Sequence, residues 1–485
     1  MKTRTLLLTL LTFAPTAAAQ SDVARVRDEA LKPSSMEQNL RRLTDEIGGR
    51  VPGTPAMDRA ITWGVEAFRT AGADRVTTEP FQMPVSWEET ETRVEVVTPS
   101  HFRVRAVAIA WTPPTPGPVR ARVVDVGEGT PAELDNAGDL RGTFVLVHSK
   151  LLESWADLFQ EYLKAPAIIE AATARGAAGI AFLSTREHDI LYRHINLSTG
   201  RLDRLPMVLL AREDGLRIAR LLQTSRPVEV EFQLSNRVGG PLTTSNVVAE
   251  LKGTEKPDEF VILGAHLDSW DLGTGALDNG CNAALVVDAL RAIKASGVRP
   301  KRSLRFVLFS GEEQGLHGSR AYAAEHRSEL DRAAAVVIFD AGIGEVTGFS
   351  LGGRTDAVAP LQALLQPFQA WGASALTADA FIGTDNFDFL LEGVPTLVAN
   401  QKEDNYLVNY HATSDTFDKV DLTRLRKHTA IAAGVILALA NAARIAPRQS
   451  RAQVERLLRD SGLEQQMKTF NIWPDWEALR RGRQE

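Results

Sequence analysis

The stretch Phe260-Val261-Ile262-Leu263-Gly264-Ala265-His266-Leu267-Asp268-Ser269-Trp270 decides how this chain is read. Six apolar or small residues in a row predict a strand buried on both faces, as in a parallel sheet. An imidazole and a carboxylate stand where that strand stops, and open α/β sheets build their sites at the carboxyl ends of strands. The arrangement recurs downstream. The run 304–309, apolar except for Arg305, leads into Ser310-Gly311-Glu312-Glu313, and the apolar run 335–339 leads into Asp340. Three strand ends that each deliver a metal-type ligand or a carboxylate imply a metal-dependent hydrolase.

Around these strands the pattern alternates. Strands are expected at 246–251, 260–265, before 309 and 339, and at 394–399. Helices are expected at 283–295, 318–326, 359–371 and 422–443. Such alternation predicts an α/β fold with a mixed, mostly parallel sheet flanked by helices. Upstream, helical spacing over 23–31 and 36–47 is broken by Gly48-Gly49-Arg50-Val51-Pro52-Gly53-Thr54-Pro55 and resumes over 56–71. The proline-rich run 113–118 marks a boundary. Beyond it, 118–236 reads as an inserted small β-rich α/β domain with a helix over 165–175 and no cluster of candidate catalytic residues. The expected organisation is a signal peptide at 1–19, an N-terminal helical part at 20–117, the insert, a metal-binding domain at 237–445 and an extension at 446–485. That extension reads as helical, with Trp473 and Trp476 as docking residues and a solvated basic tail at 480–483.

A chain of 485 residues is too long for one simple core. Its formal net charge of -6 and the absence of a basic stripe argue against nucleic acid as a partner. Lys2, Arg4, the apolar run 6–13 and Ala17-Ala18-Ala19 read as a secretory signal cleaved near Ala19. That run is too short to span a bilayer comfortably, and no cysteine follows the cleavage site to carry a lipid. A secreted or periplasmic protein, not a membrane protein, is expected. Cys281 is the single cysteine, so no internal disulfide forms and stability must come from the core or from bound metal. Asn196-Leu197-Ser198 is a glycosylation sequon, meaningful only in a host that glycosylates.

The candidate ligands form a chemical set. Asp278 lies in the glycine-rich turn Gly275-Ala276-Leu277-Asp278-Asn279-Gly280, where a helix N-cap is its alternative role. Glu312, Glu313 and Asp340 follow apolar strands, a costly place for carboxylates without a cation. His411 supplies a second imidazole, and Asp268 is suited to orient His266. Two histidines and three carboxylates suit zinc, with cobalt or manganese as weaker alternatives. Five ligands fit two zinc ions about 3.5–4 Å apart with one shared carboxylate, and a water held between them loses its proton near neutral pH.

Gly348-Phe349-Ser350-Leu351-Gly352 matches the nucleophile-elbow pattern, which would make Ser350 the nucleophile of a serine hydrolase. No buried strand is read before it, no oxyanion loop is found upstream, and His266, Glu312, Glu313 and Asp340 would be left without a role. His188 and His194 lack carboxylate partners at ligand spacing apart from Asp189 and read as surface residues.

With these residues in view, the sequence resembles the two-zinc exopeptidases that include secreted aminopeptidases and glutamate carboxypeptidases, and within them the carboxypeptidase Q branch. The resemblance runs through 246–420 and is carried by His266 to Asp271, Gly275 to Asp278, Arg299 to Arg302, Glu312 to Gly315, Asp340 to Gly342, Gly383 to Asp385, Gly393 to Pro395 and His411 to Thr416. It implies that His266 and Asp340 bind one zinc, Glu313 and His411 the other, and that Asp278 bridges them. It makes Glu312 the general base, gives Asp268 the task of orienting His266, and offers Tyr410 as an oxyanion donor or as core packing beside a ligand. It further implies a cis Asp278–Asn279 peptide, a protease-associated domain as the insert, and a homodimer. Cys281 and Asn282 depart from the small residues usual after the bridging aspartate.

The expected activity is hydrolysis of dipeptides or terminal peptide bonds, in the manner of carboxypeptidase Q, with an aminopeptidase of the same family as the alternative. A non-catalytic binding protein on this fold is the alternative of another class; relatives of that kind have lost ligands that this sequence keeps.

Overall fold

A computed structural model describes residues 17–195, 199–224 and 226–485. The charged and apolar parts of the expected signal, and the Asn196 sequon, lie outside the described residues. Among those described, no helix is long and apolar enough to cross a membrane.

The main sheet has eight strands, in the order Arg75–Met83, Leu242–Leu251, Arg302–Phe309, Lys256–His266, Ala333–Ile338, Thr396–Gln401, Val346–Ser350 and Ala375–Thr377. Its centre is parallel: the His266 strand pairs with Arg302–Phe309 on one side and Ala333–Ile338 on the other. Both faces of these strands are covered, which explains the largely apolar sequence of their inner parts, 260–265, 306–309 and 333–338. Val261, Leu263 and Ala265 point into the larger core, with helices Ala17–Ala30, Pro55–Thr70, Cys281–Ala295 and Leu422–Asn441. Phe260 and Ile262 point the other way, toward Tyr322 and Phe389 from helices His317–Glu325 and Asn386–Leu391. The strand's period of two thus sorts its side chains between two layers.

A second eight-stranded sheet runs Phe102–Val104, Ser86–Thr98, Glu229–Gly239, Val119–Asp125, Phe144–Val147, Gly179–Leu183, Met207–Leu210 and Ala106–Ala108. It is wider than the expected 118–236. Ser86–Thr98 pairs antiparallel with Glu229–Gly239, a partner far along the chain that local pattern does not announce. The proline-rich run 113–118 therefore lies inside this unit. Its long helix spans Trp155–Ala174, a full ten residues earlier at its start than expected, with Ser154 accepting a hydrogen bond from the Asp157 N–H as N-cap.

The C-terminal extension is also more integrated than expected. Helices Arg451–Asp460, Leu463–Thr469 and Trp473–Glu477 bury Val454, Leu458, Met467 and Trp476 against Leu316, Phe387 and Leu391. The basic tail is not simply solvated. Arg481 is buried and makes two hydrogen bonds of 2.7 Å to the Asp388 carboxylate.

Candidate active site

The carboxyl ends of the central strands open into a cavity of about 680 Å³, a volume suited to a small peptide. His266, Asp278, Glu312, Glu313, Asp340, Tyr410 and His411 all line it. They come from separate strand ends and loops, and the parallel register brings them together.

Asp278 lies between the two imidazoles. Its Oδ1 is 3.1 Å from His266 Nε2 and its Oδ2 is 3.3 Å from His411 Nε2. Asp340 Oδ1 is 3.0 Å from His266 Nε2, and Glu313 Oε2 is 2.8 Å from His411 Nε2. Asp278 Oδ2 and Glu313 Oε1 are buried and accept no hydrogen bond. Glu312 lies on the His266 and Asp340 side, where the three residues' ligand-type atoms fall within 4.8 Å of one another; His266, Asp278 and Glu313 form a second such group.

Burial dominates the electrostatics. It raises Glu312 well above the usual carboxylate range and Glu313 to about 7, with neighbouring carboxylates adding to both shifts. Asp340 is raised by burial and by Asp278. Burial alone would lower the imidazoles, yet the surrounding carboxylates reverse it: His411 rises to about 9 and His266 well above its ordinary value. A buried site with this much negative charge calls for positive charge, and the Asp278 and Glu313 oxygens that accept no hydrogen bond are open to a ligand role. The imidazole and carboxylate donors fit zinc.

The supports of this cluster were partly unforeseen. His266 Nδ1 lies 2.9 Å from the backbone carbonyl of Asp268, whereas the Asp268 carboxylate is 3.7 Å away. That carboxylate instead accepts from the backbone N–H groups of Glu312 and Glu313. Asp268 therefore orients the ring through its main chain and holds the Glu312-Glu313 turn through its side chain. Asp415 accepts three N–H groups in succession, from Ala276, Leu277 and Asp278. Arg50, fully buried, donates to the carbonyls of Gly48, Leu267, Thr274 and Gly275. Burial lowers its pKa only to about 10, so it stays charged at neutral pH. Its place in a glycine-rich break gave no local hint of this task. Thr384 donates to Asp340.

The Asp278–Asn279 peptide is cis. Asn282 Nδ2 donates to Asn279 Oδ1 at 2.6 Å, and Asn279 Nδ2 donates to the Phe339 carbonyl. Asn282 thus stiffens the turn that carries Asp278. Cys281 is buried with its sulfur near the Leu277 and Gly342 carbonyls, and burial pushes its thiol well above the usual range. It belongs to neither group of metal-type ligands. Ser350 ends a strand and donates to the Asp379 carbonyl, a structural bond rather than a nucleophile's contact. His188 is exposed, as read, and its N–H donates to Glu213, whereas His194, read as a surface residue, is buried with its ring packed on Tyr162 at 4.4 Å.

The second-sheet unit, in which the sequence shows no cluster of candidate catalytic residues, contributes aromatic lining to the cavity. Trp155, Phe159 and Tyr162 from its long helix line the cavity, facing Phe381 and, from the extension, Gln466, Phe470 and Ile472. The Tyr162 hydroxyl lies 3.1 Å from that of Tyr410, whose ring stacks on His411 at 3.6 Å.

A mixed sheet, parallel at its centre, that gathers imidazoles and carboxylates at its strand ends defines a metal-dependent α/β hydrolase. Residues 246–436 match the profile of Peptidase family M28. Carboxypeptidase Q of Xenopus laevis is 28% identical over 413 residues, covering 83% of this chain and 86% of that protein. The crystal structure of a Peptidase M28 precursor from Shewanella amazonensis superposes with a TM-score of 0.81 at 27% identity, over 89% of this chain and 99% of the other. BSAP, a zinc aminopeptidase from Bacillus subtilis, shares the fold with a TM-score of 0.66 at 19% identity, over 83% of this chain and 93% of that one. The chain is a metallo-exopeptidase, similar over residues 246–436 to Peptidase family M28.

Proposed function

We propose that the protein is a secreted, two-zinc exopeptidase that hydrolyses dipeptides or the terminal bond of short peptides. The observation that carries this reading is Asp278, whose two carboxylate oxygens face two different imidazoles at 3.1 and 3.3 Å. His266 and Asp340 would hold one ion, Glu313 and His411 the other, with Asp278 shared. Bound there, the ions supply Lewis acidity toward the scissile carbonyl and lower the pKa of water. Glu312 takes the proton of the attacking water on its carboxylate and returns it to the leaving amine. Tyr410 lines the cavity beside His411, and its hydroxyl donates to the oxyanion. Tyr162 holds that hydroxyl from the second-sheet unit, which we read as a protease-associated domain.

One observation favours the amino end of the substrate. Among the described residues, the cavity lining carries the carboxylates of Asp278, Glu312, Glu313, Asp340 and Asp379 and no lysine or arginine. Four of these carboxylates balance two divalent cations, which leaves Asp379 to attract an ammonium and repel a terminal carboxylate. The apolar wall of Trp155, Phe159, Phe381 and Phe470 suits a bulky apolar side chain.

The test is a panel of dipeptides, aminoacyl-anilides, N-acetylated peptides and C-terminal amides, offered to protein of measured zinc content. Cleavage of free-amine substrates, amidated or not, supports the reading. An intact panel with two zinc ions bound overturns exopeptidase action, and cleavage restricted to N-acetylated peptides with a free carboxylate moves the specificity to the other end. The leader is tested by N-terminal sequencing of exported protein, and the homodimer by light scattering.

A further inference from the structure

The two imidazoles are held by different parts of the molecule. His266 Nδ1 meets the carbonyl of Asp268, two residues along its own segment. His411 Nδ1 lies 3.1 Å from the carbonyl of Arg193, which belongs to the second-sheet unit. A carbonyl only accepts, so Nδ1 carries the proton and Nε2 keeps its lone pair toward Glu313 and Asp278. The bond is reciprocal, because the Arg193 N–H donates to the His411 carbonyl at 2.9 Å. The Thr413 N–H donates to the Leu191 carbonyl, and Tyr192 forms an antiparallel bridge with Ala412. Residues 191–193 therefore act as a short strand laid against 411–413. His411 sits there at a φ of 58°, a conformation rare for a non-glycine residue, which calls for external support.

The side chain of Arg193 fixes this short strand. It is 1% exposed and bridges both units: Nη2 donates to Glu89 in the second sheet, Nε donates to Asp271 at 2.9 Å in the loop after His266, and Nη1 donates to the Ala108 carbonyl. A planar guanidinium with its donors in a fixed fork holds these three elements in one geometry.

We infer that Arg193 is a positioning residue for the Glu313 and His411 metal position, so that the second-sheet unit builds one of the two metal positions and not the other. This rests on the two-zinc reading above. It makes the site asymmetric: one position is complete within the main sheet, and the other requires the second-sheet unit to be docked. Loosening that docking lowers the occupancy of one ion before the peptidase fold is lost.

Zinc binding to the full-length mature protein, titrated in competition with a chromophoric chelator, tests this. Wild type takes up two ions. Arg193→Met keeps one at wild-type affinity and binds the other 10- to 100-fold more weakly, the usual effect of losing an orienting partner. Should Arg193→Met fail to fold, Asp271→Asn removes a single arm and weakens the same ion. Arg105→Met, which breaks an ion pair with Asp214 and Asp189 within the second-sheet unit, keeps both affinities. Wild-type affinity for both ions in the Arg193 and Asp271 variants overturns the inference while leaving the two-zinc reading intact. Equal weakening of both ions overturns it as well, and a wild type that binds a single zinc removes the two-zinc reading and this inference with it.

Discussion

Asp415 receives the backbone N–H of Asp278 at 3.1 Å, and with it the two N–H groups that precede it. A carboxylate that accepts three main-chain donors fixes a turn as firmly as a short helix would. Asp415→Asn replaces one accepting oxygen with a donor that faces N–H groups. We expect chelator-measured zinc affinity to fall about 10- to 100-fold, with the far-ultraviolet circular dichroism retained.

Glu312 is buried beside His266 and Asp340, and its carboxyl is raised by that burial and by its acidic neighbours. Glu312→Gln keeps size and hydrogen bonding but removes the basic oxygen. Turnover should drop by roughly 10² to 10⁴, while metal content by atomic absorption stays at the wild-type level. Unchanged turnover would take the proton-transfer role away from Glu312.

Removal of metal should affect stability as well as activity. Without cations the Asp278, Glu313 and Asp340 carboxylates lose their compensating charge, and binding free energy to the folded state is lost with the ion. A chelator is expected to abolish hydrolysis and to lower the melting temperature. Zinc should restore both. A fluorophosphonate should leave Ser350 unlabelled, because its hydroxyl is committed to the Asp379 carbonyl.

Tyr162→Phe removes one hydroxyl, 3.1 Å from that of Tyr410, and nothing else. A neutral hydrogen bond of this kind is worth about 0.5–1.5 kcal/mol, so kcat should fall roughly 2- to 12-fold by that figure. KM should change little, since the apolar ring remains in the wall. A larger loss is expected for Tyr410→Phe. Equal KM increases in both variants would indicate substrate packing instead.

His428 gives the protein an acid-sensitive element away from the site. It is buried in helix Leu422–Asn441, and burial, aided by Arg424 and Lys427, lowers its pKa to about 4. The unfolded chain takes up a proton near pH 6.5 that the folded chain refuses until about pH 4. Stability is thus present above pH 6.5 and is lost as the pH falls through this window, by a total on the order of 3 kcal/mol. Urea midpoints at pH 7 and pH 4.5 should differ less in His428→Gln than in wild type.

The parts of the site legible in the sequence are those where chemistry interrupts a local pattern. His266, Glu312, Glu313 and Asp340 follow apolar strands, so a polar group in that place stands out, and the structure gathers them in one cavity. The parts that were not legible depend on pairing across long sequence distances. Arg50 lies 225 residues from the Gly275 carbonyl it binds, in a stretch whose glycines and prolines signal only a turn. Tyr162 lies 248 residues from Tyr410, on a helix whose start was hidden because Pro166 interrupts its pattern. Ser86–Thr98 carries strand-like residues, but nothing local indicates which of two sheets it joins. Arg481 looks like any solvated tail residue until Asp388 is placed beneath it.

The cavity's walls and floor have separate origins. On the floor, His266 ends a strand of the main sheet and Glu312 and Asp340 follow two others, whereas Trp155 and Phe159 stand on a helix of the second-sheet unit and Phe470 follows a helix of the extension. Exchanging residues 155 and 159 for those of a cousin with different tastes, with Tyr162 kept, should therefore transplant appetite without disturbing the reaction. Diversification in such a lineage can proceed by refurnishing two movable panels around an unaltered hearth.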